Sequence, residues 1–233
     1  MDNLFFKYMK ERIGKRKAVD TSNLSLGPVM TISREFGCPA LDIAIELAKT
    51  LTEKNKESGI NKEWRVVSKE IIEESARELK LTPSLIDDLS EYKHNSFFEN
   101  LTLFLSDNYY PGNTKVKNTI AKFIYETAAE GNVIIVGRAG EAITKNIEKS
   151  FHTKIIAPLD WRAQEVSLSE NLSISDAKKR CIDQDRRREQ FRHFFEGDKP
   201  DNEFFNITFN YRDMTTEEIV ELLEIVAEIR GFI

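Results

Sequence analysis

The sequence predicts an α/β protein in which short buried strands alternate with amphipathic helices. Apolar runs such as residues 28–33 (PVMTIS) and 132–137 (NVIIVG) are typical of strands that are buried on both faces. Helical stripes separate these runs, and the last helix begins at TTEE, where Thr215 and Glu218 fit a capping box. Because parallel strands need long crossover connections, this alternation predicts a parallel sheet covered by helices on both faces.

Length and composition favour one large, ordered domain. The chain has 233 residues, of which 40% are hydrophobic and 31% are charged, with six prolines and ten glycines. This profile is typical of a helix-rich globular protein with a substantial apolar interior. Two unrelated domains are less expected at this length.

Several classes of protein are disfavoured by the same composition. No apolar run approaches the roughly 20 residues of a membrane span, and no secretion signal is visible, so we expect a cytoplasmic protein without a membrane partner. Cys38 and Cys181 are far apart and the three histidines are scattered, which argues against a metal site. The net charge of −5 makes nucleic acid a poor general partner.

Residues 1–27 form a predicted N-terminal appendage. Residues 2–13 fit a short amphipathic helix, and a basic, polar linker follows them. The role of this segment stays open, with a homo-oligomer contact as one use.

The strand and helix pattern begins after the appendage. The run at residues 28–33 precedes a helical stripe over residues 41–51, and a second strand is predicted at residues 64–68. Thr82 before Pro83 indicates a new helix start, and the helical pattern continues to Gly131.

Three further strands complete the predicted sheet. They are residues 132–137, 152–158 and 204–210, and each is followed by a helical pattern. In such sheets ligands bind beyond the carboxyl ends of the strands, so the loops after the strands are the places to search for a site.

The loop after the first strand, SREFGCPA, sits where many proteins hold phosphate. Gly37 and Arg34 favour a phosphate cradle, but Pro39 donates no N–H and the lysine of the usual GxxxxGK[ST] motif is missing. A cradle and a simple strand-to-helix turn both stay open. For Cys38 a packed turn residue is preferred over a reactive thiol.

Two other loops carry arginines. Arg138 in VGRAG leaves the end of a buried strand, where it either binds an anion or pairs with an acidic neighbour. Further on, a basic cluster surrounds Asp183 and Asp185 in one predicted helix. Its members are Lys178, Lys179, Arg180, Arg186, Arg187, Arg188 and Arg192.

This basic cluster has three interpretations. It is a solvated helix face, a nucleic-acid surface, or a mobile segment whose arginines close over phosphates and stabilise the transition state of phosphoryl transfer. Because three successive arginines point in different directions around a helix, at least one must face inward or toward a ligand.

Six stretches then appear in a fixed order across residues 28–230: MTISREFG, VSKEIIEESARE, GNVIIVGRAG, KIIAPLDWRAQEV, DQDRRREQFRHFFEG and FNITFNYRDMTTEEIVELL. In this order they resemble the cytidylate kinase-like family, a branch of the P-loop nucleoside monophosphate kinases. The resemblance implies a three-layer α/β/α P-loop kinase fold over residues 28–233, with a five-stranded parallel sheet. It also implies a helical acceptor insert around residues 68–118 and a small lid around residues 173–200.

The resemblance also implies transfer of the γ-phosphate of ATP to a nucleoside monophosphate, with Mg²⁺. Ser68 and Arg138 would bind the acceptor. Arg186 and Arg188 would act on the transferred group, with Asp185 positioning them. The residues implied to contact ATP are Arg34, Gly37, Cys38, Ala40, Leu41, Asp42, Ile43 and Arg162.

The sequence departs from the family pattern at two places where residues are implied to bind ATP or the acceptor. The family loop reads approximately GSGGRE, whereas residues 37–42 read GCPALD and lose two glycines and the basic residue. Relatives place an aspartate where Ser68 stands. We therefore expect weak transfer to a CMP-like acceptor, with a non-catalytic nucleotide-binding module and an oligomeric interaction protein as alternatives.

Overall fold

The computed structural model describes residues 27–69, 114–197 and 199–233. The predicted N-terminal helix at residues 2–13, the predicted helix start at Thr82 and nearly all of the predicted insert at residues 68–118 lie outside these ranges. Of the sequence-predicted strands, all five fall inside them.

Five parallel strands form one sheet in the order β2-β3-β1-β4-β5. Their bounds are β1 Val29–Arg34, β2 Arg65–Val67, β3 Val133–Val136, β4 Ser150–Ile156 and β5 Ile207–Asn210. The sequence prediction of an α/β fold with a five-stranded parallel sheet is confirmed.

Six α-helices accompany the strands in the described parts of the chain. They are α1 Ala40–Glu57, α2 Thr114–Ala129, α3 Gly140–Thr144, α4 Leu159–Glu170, α5 Ile174–Glu196 and α6 Thr216–Ile229, with a short 3-10 turn at Asp201–Glu203 between α5 and β5. None of these helices has the length and apolar character needed to cross a membrane.

The helices lie on both faces of the sheet, because alternate strand residues point in opposite directions. Met30 and Ile32 of β1 pack into the same core cluster as the apolar sides of α1 and α6. On the opposite face, Gly140 at the start of α3 lies against Thr31 and Ile135. This three-layer arrangement leaves the carboxyl ends of the strands open for a site.

Local signals account for the element boundaries. At the start of α6, the Thr215 hydroxyl accepts a hydrogen bond from the Glu218 amide at 3.2 Å, and the Glu218 carboxylate accepts one from the Thr215 amide at 2.8 Å, which confirms the predicted capping box. Gly131 follows α2 with φ +76°, a conformation that favours glycine.

Helix α1 runs six residues beyond the predicted stripe, which ends at Leu51. Its last turns contain Thr52 and Asn55, which are polar in sequence but buried in the structure. The Thr52 hydroxyl accepts a hydrogen bond from the Trp64 amide at 2.8 Å, and the Asn55 side chain donates one to the Lys62 carbonyl at 2.7 Å. These bonds tie the end of α1 to the segment that leads into β2.

Candidate functional site

A cleft of about 890 Å³ lies at the carboxyl edge of the sheet. Its floor is formed by residues at the ends of β1, β3 and β4, and one wall is formed by α5. This is the position where open α/β sheets bind ligands.

The cleft is electropositive. Among the described residues, nine arginines and lysines line it against five aspartates and glutamates, although the whole chain carries a net charge of −5. Five of the nine cations come from α5 alone. A local excess of four positive charges inside an acidic protein favours an anionic ligand.

The loop after β1 packs against α4 at Gly37. Gly37 has φ +94°, and a β-carbon placed on it would lie 3.1 Å from Cβ of Arg162 and 3.2 Å from Cγ2 of Val166. Glycine is therefore required here both for its backbone conformation and for the close approach of the helix.

The main-chain amides of this loop are only partly available to a ligand. The Cys38, Ala40 and Ile43 amides donate to the carbonyls of Glu35, Cys38 and Pro39. The amides of Gly37, Leu41 and Asp42 have no hydrogen-bond partner among the described residues. None of residues 37–43 lines the cleft, which the loop reaches through residues 33–36 instead.

Burial raises the pKa of the Cys38 thiol to about 12, so the thiol is neutral near pH 7. Its side chain packs against the main core together with Leu41. The geometry favours the packed interpretation of Cys38 over the reactive one.

Arg162 of α4 contacts the loop after β1 from the side of α4. Its guanidinium is 7% exposed and donates to the carbonyl of Ala157 at 2.9 Å and to the carbonyl of Phe36 at 3.0 Å. The carboxylate of Glu35 lies 3.3 Å from Nε of Arg162 and accepts a hydrogen bond from the Ala157 amide at 3.1 Å. A buried guanidinium is tolerated here because its donors are satisfied.

Asp185 of α5 contacts the same loop from the side of α5. One carboxylate oxygen accepts a hydrogen bond from the Phe36 amide at 2.7 Å, and the other accepts one from Nη1 of Arg162 at 2.7 Å. Arg188 lies 3.9 Å from the same carboxylate and donates to the carbonyl of Arg34 at 3.0 Å. Helix α5 is thus fastened to the end of β1 by charged contacts.

The turn after β3 is strained. Gly137, Arg138 and Ala139 have φ values of +71°, +55° and +52°, and for the two residues with a β-carbon this conformation costs about 1–3 kcal/mol each. A β-carbon on Gly137 would collide with the guanidinium of Arg34. The strained turn therefore presents Arg138 at the cleft and leaves room for Arg34 beside it.

A second charged group lies farther along the cleft. The carboxylate of Asp201 forms ion pairs with Lys154 of β4 and with Arg192, whose Nη2 lies 2.8 Å away. Glu141, in the first turn of α3, is 3% exposed, and its pKa is raised because burial disfavours the charged carboxylate. This group joins α3, β4 and the end of α5 at one side of the cleft.

The structure brings five of the sequence-predicted site residues together at the cleft. These are Arg34, Arg138, Asp185, Arg186 and Arg188. Asp185 lies within 3.9 Å of Arg188, whereas the carboxylate that contacts Arg186 is Asp183, at 3.4 Å.

Other predicted site residues lie elsewhere. Arg162 lies behind the loop, and Ser68 is fully buried after β2 and does not line the cleft. Ala40 and Ile43 belong to the main core, and Asp42 is on the exposed side of α1.

Sequence reasoning missed Lys154, Asp201 and Glu141 as site residues, and it named Arg192 only as a member of the basic cluster. Two of them carried a usable signal, because Lys154 interrupts an apolar strand and Glu141 interrupts a small-residue helix start. Asp201 gave no such signal, and its pairing with Arg192 could not be predicted, since it depends on the path of the chain between α5 and β5.

Comparison with known proteins identifies the family of this chain. Residues 29–212 match the family model described as the cytidylate kinase-like family. A solved structure of an uncharacterized protein from Eubacterium ventriosum superimposes with a TM-score of 0.59 over 86% of this chain and 98% of that one, at 16% identity. At this level of identity, the structural match shows a similar fold only.

A partial sequence match links the chain to a much longer protein. A stretch of 112 residues is 30% identical to part of a uronate isomerase from Corynebacterium glutamicum. The match spans 48% of this chain and 21% of the isomerase.

Proposed function

The chain belongs to the cytidylate kinase-like family, and from this premise we propose that it transfers the γ-phosphate of ATP to a nucleoside monophosphate such as CMP. The observation that carries the proposal is the electropositive cleft at the carboxyl edge of the parallel sheet. Phosphates of two nucleotides need many cationic donors in one place, and nine arginines and lysines of the described part of the chain line this cleft.

The arginines of the cleft divide into two groups by position. Arg138 belongs to the strained turn after β3 and lines the cleft, so it would hold the acceptor phosphate at the end of this strand. Arg186 and Arg188 are carried by α5, so they would contact the transferred group from the other side. Arg34 lies between the two groups at the end of β1.

In the proposed reaction one P–O bond forms and one P–O bond breaks. A phosphate oxygen of the acceptor monophosphate forms a bond to the γ-phosphorus of ATP, while the bond between that phosphorus and the β–γ bridging oxygen breaks. ADP leaves with the bridging oxygen and the acceptor becomes a nucleoside diphosphate. Charge on the transferred oxygens is stabilised by the guanidinium groups, which remain protonated throughout.

The carboxylates that the described residues contribute to the cleft do not form a dedicated Mg²⁺ site. No group of three acidic, histidine or cysteine side chains in the described parts of the chain is arranged to hold a metal ion. Asp185 and Asp201 each contact cationic side chains, and Glu141 is held toward its neutral form by burial. We therefore treat Mg²⁺ as part of the ATP·Mg²⁺ substrate and assign it no protein ligand.

A non-catalytic nucleotide-binding module is the second candidate. It is favoured by the loop after β1, in which Pro39 has no N–H and the amides of Phe36, Cys38 and Ala40 donate within the protein. The loop thus has fewer free amides for the γ-phosphate, and it lacks the basic residue of the family loop. These losses would lower the rate of phosphoryl transfer more than the affinity for nucleotide, since the cations elsewhere in the cleft remain.

Steady-state assay of the full chain with ATP·Mg²⁺ and a panel of nucleoside monophosphates tests the proposal. We expect slow but measurable ADP formation that depends on one monophosphate and saturates with it. Nucleotide binding by calorimetry without any turnover would support the module instead. Absence of both binding and turnover would reject both nucleotide functions and leave the interaction protein.

A further inference from the structure

The carboxylate of Asp185 occupies a site built for an anion. It accepts one hydrogen bond from a main-chain amide of the first crossover loop and one from Arg162, both at 2.7 Å, with Arg188 at 3.9 Å. A loop amide beside guanidinium groups is the donor set that proteins use for phosphate oxygens. The loop that the fold offers to a phosphate is therefore already in contact with an internal anion.

The donors of this site are held in place by contacts other than Asp185. Arg162 is anchored by the carbonyls of Ala157 and Phe36, and by Glu35 at 3.3 Å. Arg188 is anchored by the carbonyl of Arg34 and by the ring of Phe36, whose centroid lies 5.4 Å from the guanidinium carbon. Because these anchors persist without the carboxylate, the site stays formed and can accept another anion.

The N-terminal half of the helix that carries Asp185 packs on α4 through a small apolar cluster. Ala177 and Cys181 of α5 pack with Ala163 and Val166 of α4 in a group separate from the main core. Because this cluster is separate from the main core, a small movement of this part of α5 would leave the main core intact. The Asp185 side chain is also 27% exposed, which gives it a path out of the site.

We propose that Asp185 is a stand-in for a nucleotide phosphate, and that a phosphate group binds the Phe36 amide, Arg162 and Arg188 by displacing this carboxylate. The inference rests on the proposed function, because it takes the phosphates of a nucleotide as the ligand. It adds that the free protein competes with its own ligand, and that phosphate binding breaks the contact between Asp185 and the loop after β1.

Calorimetric titration of the full chain with inorganic pyrophosphate tests this exchange. Asp185→Ala removes the competing carboxylate, and we expect it to bind pyrophosphate about tenfold more tightly than the wild type, which corresponds to about 1.4 kcal/mol. Asp183→Ala is the matched control, because it removes the same charge from the same helix at a side chain that is 59% exposed and outside the cleft lining. We expect its affinity to stay within about twofold of the wild type.

Equal affinities in the wild type and Asp185→Ala, or equal tightening in both variants, would overturn the exchange. If Asp185→Ala does not fold, an NMR titration of the wild type still tests the exchange, because pyrophosphate should shift the amide resonance of Phe36. A Phe36 resonance that stays in place at saturation would show that Asp185 is a permanent structural contact.

Pyrophosphate keeps this test separate from the kinase assay. It carries no nucleoside and no acceptor, so tighter binding by Asp185→Ala would be seen even if the protein had no turnover. Conversely, measurable turnover with an unchanged pyrophosphate affinity would retain the kinase function and reject the exchange.

Discussion

Arg188 connects the long helix α5 to the floor of the cleft by donating a hydrogen bond of 3.0 Å to the main-chain carbonyl of Arg34. The two residues are 154 positions apart in the chain, yet both line the same cleft. This contact places a guanidinium beside the end of β1, where an anionic ligand would bind.

Arg188→Ala should lower kcat by about 100-fold, because it removes a cation that would act on the transferred phosphate in the transition state. The free energy of unfolding should fall by only about 1 kcal/mol, since the lost hydrogen bond is partly exposed to solvent. Steady-state kinetics and urea unfolding measure the two effects. Lys179→Ala is the control, because this lysine is on the same helix, 75% exposed and outside the cleft. Unchanged turnover in Arg188→Ala would remove Arg188 from the proposed chemistry.

Arg138→Ala should raise the KM for the monophosphate at least tenfold and leave the Kd for ATP almost unchanged. The reason is that Arg138 is presented by the turn after β3, which we assign to the acceptor side of the cleft. Acceptor titrations at saturating ATP and calorimetry with ATP alone separate the two constants. A parallel loss of both affinities would contradict the assignment of Arg138 to the acceptor.

Gly37→Ala should lower the free energy of unfolding by about 1–2 kcal/mol or more, because an alanine is strained at φ +94° and its β-carbon would press on Arg162 and Val166. Gly59→Ala is a matched control, since Gly59 also has a positive φ of +75° but no atom lies within 4 Å of a β-carbon placed there. Urea denaturation of the two variants measures the difference. Equal losses would mean that the close approach of α4 to the loop contributes nothing to stability.

The stability of the protein should depend on pH through His152. Burial lowers the pKa of this imidazole from 6.5 to about 4, and its Nδ1 lies 2.9 Å from the Thr31 hydroxyl. The unfolded chain therefore takes up a proton near pH 6.5 while the folded chain does not, so stability falls as the pH drops from 6.5 toward 4. The contribution at stake is about 3 kcal/mol.

Urea unfolding at several pH values measures this effect, with His152→Gln as the comparison because glutamine does not titrate. The wild type should lose more stability than the variant between pH 6.5 and pH 4. Identical pH dependence in the two proteins would show that His152 is not kept neutral by the fold.

The fold was predictable because its signals are local. The apolar runs of β1 and β3 and the capping box at Thr215 can be read within a few residues, and each is present in the structure. Where the prediction fell short, distant residues decided the outcome. Strand β4 begins at Ser150, two residues before the predicted start, because Ser150 pairs with Val29 of β1.

The candidate site was predictable in part. The rule that ligands bind at the carboxyl ends of parallel strands directed attention to Arg34 and Arg138, and both line the cleft. The contact between Asp185 and the Phe36 amide could not be read from the sequence, because it spans 149 positions and depends on how α5 folds back. The pairing of Lys154 with Asp201 has the same long-range origin.

A cocrystal structure of the full chain with a non-hydrolysable ATP analogue and CMP would show whether the cleft binds the phosphates of nucleotides. We expect phosphate oxygens within hydrogen-bonding distance of Arg188, and we expect the CMP phosphate to contact Arg138. A cleft free of nucleotide at saturating concentrations of both compounds, with Arg138 and Arg188 contacting only protein and solvent, would contradict both expectations.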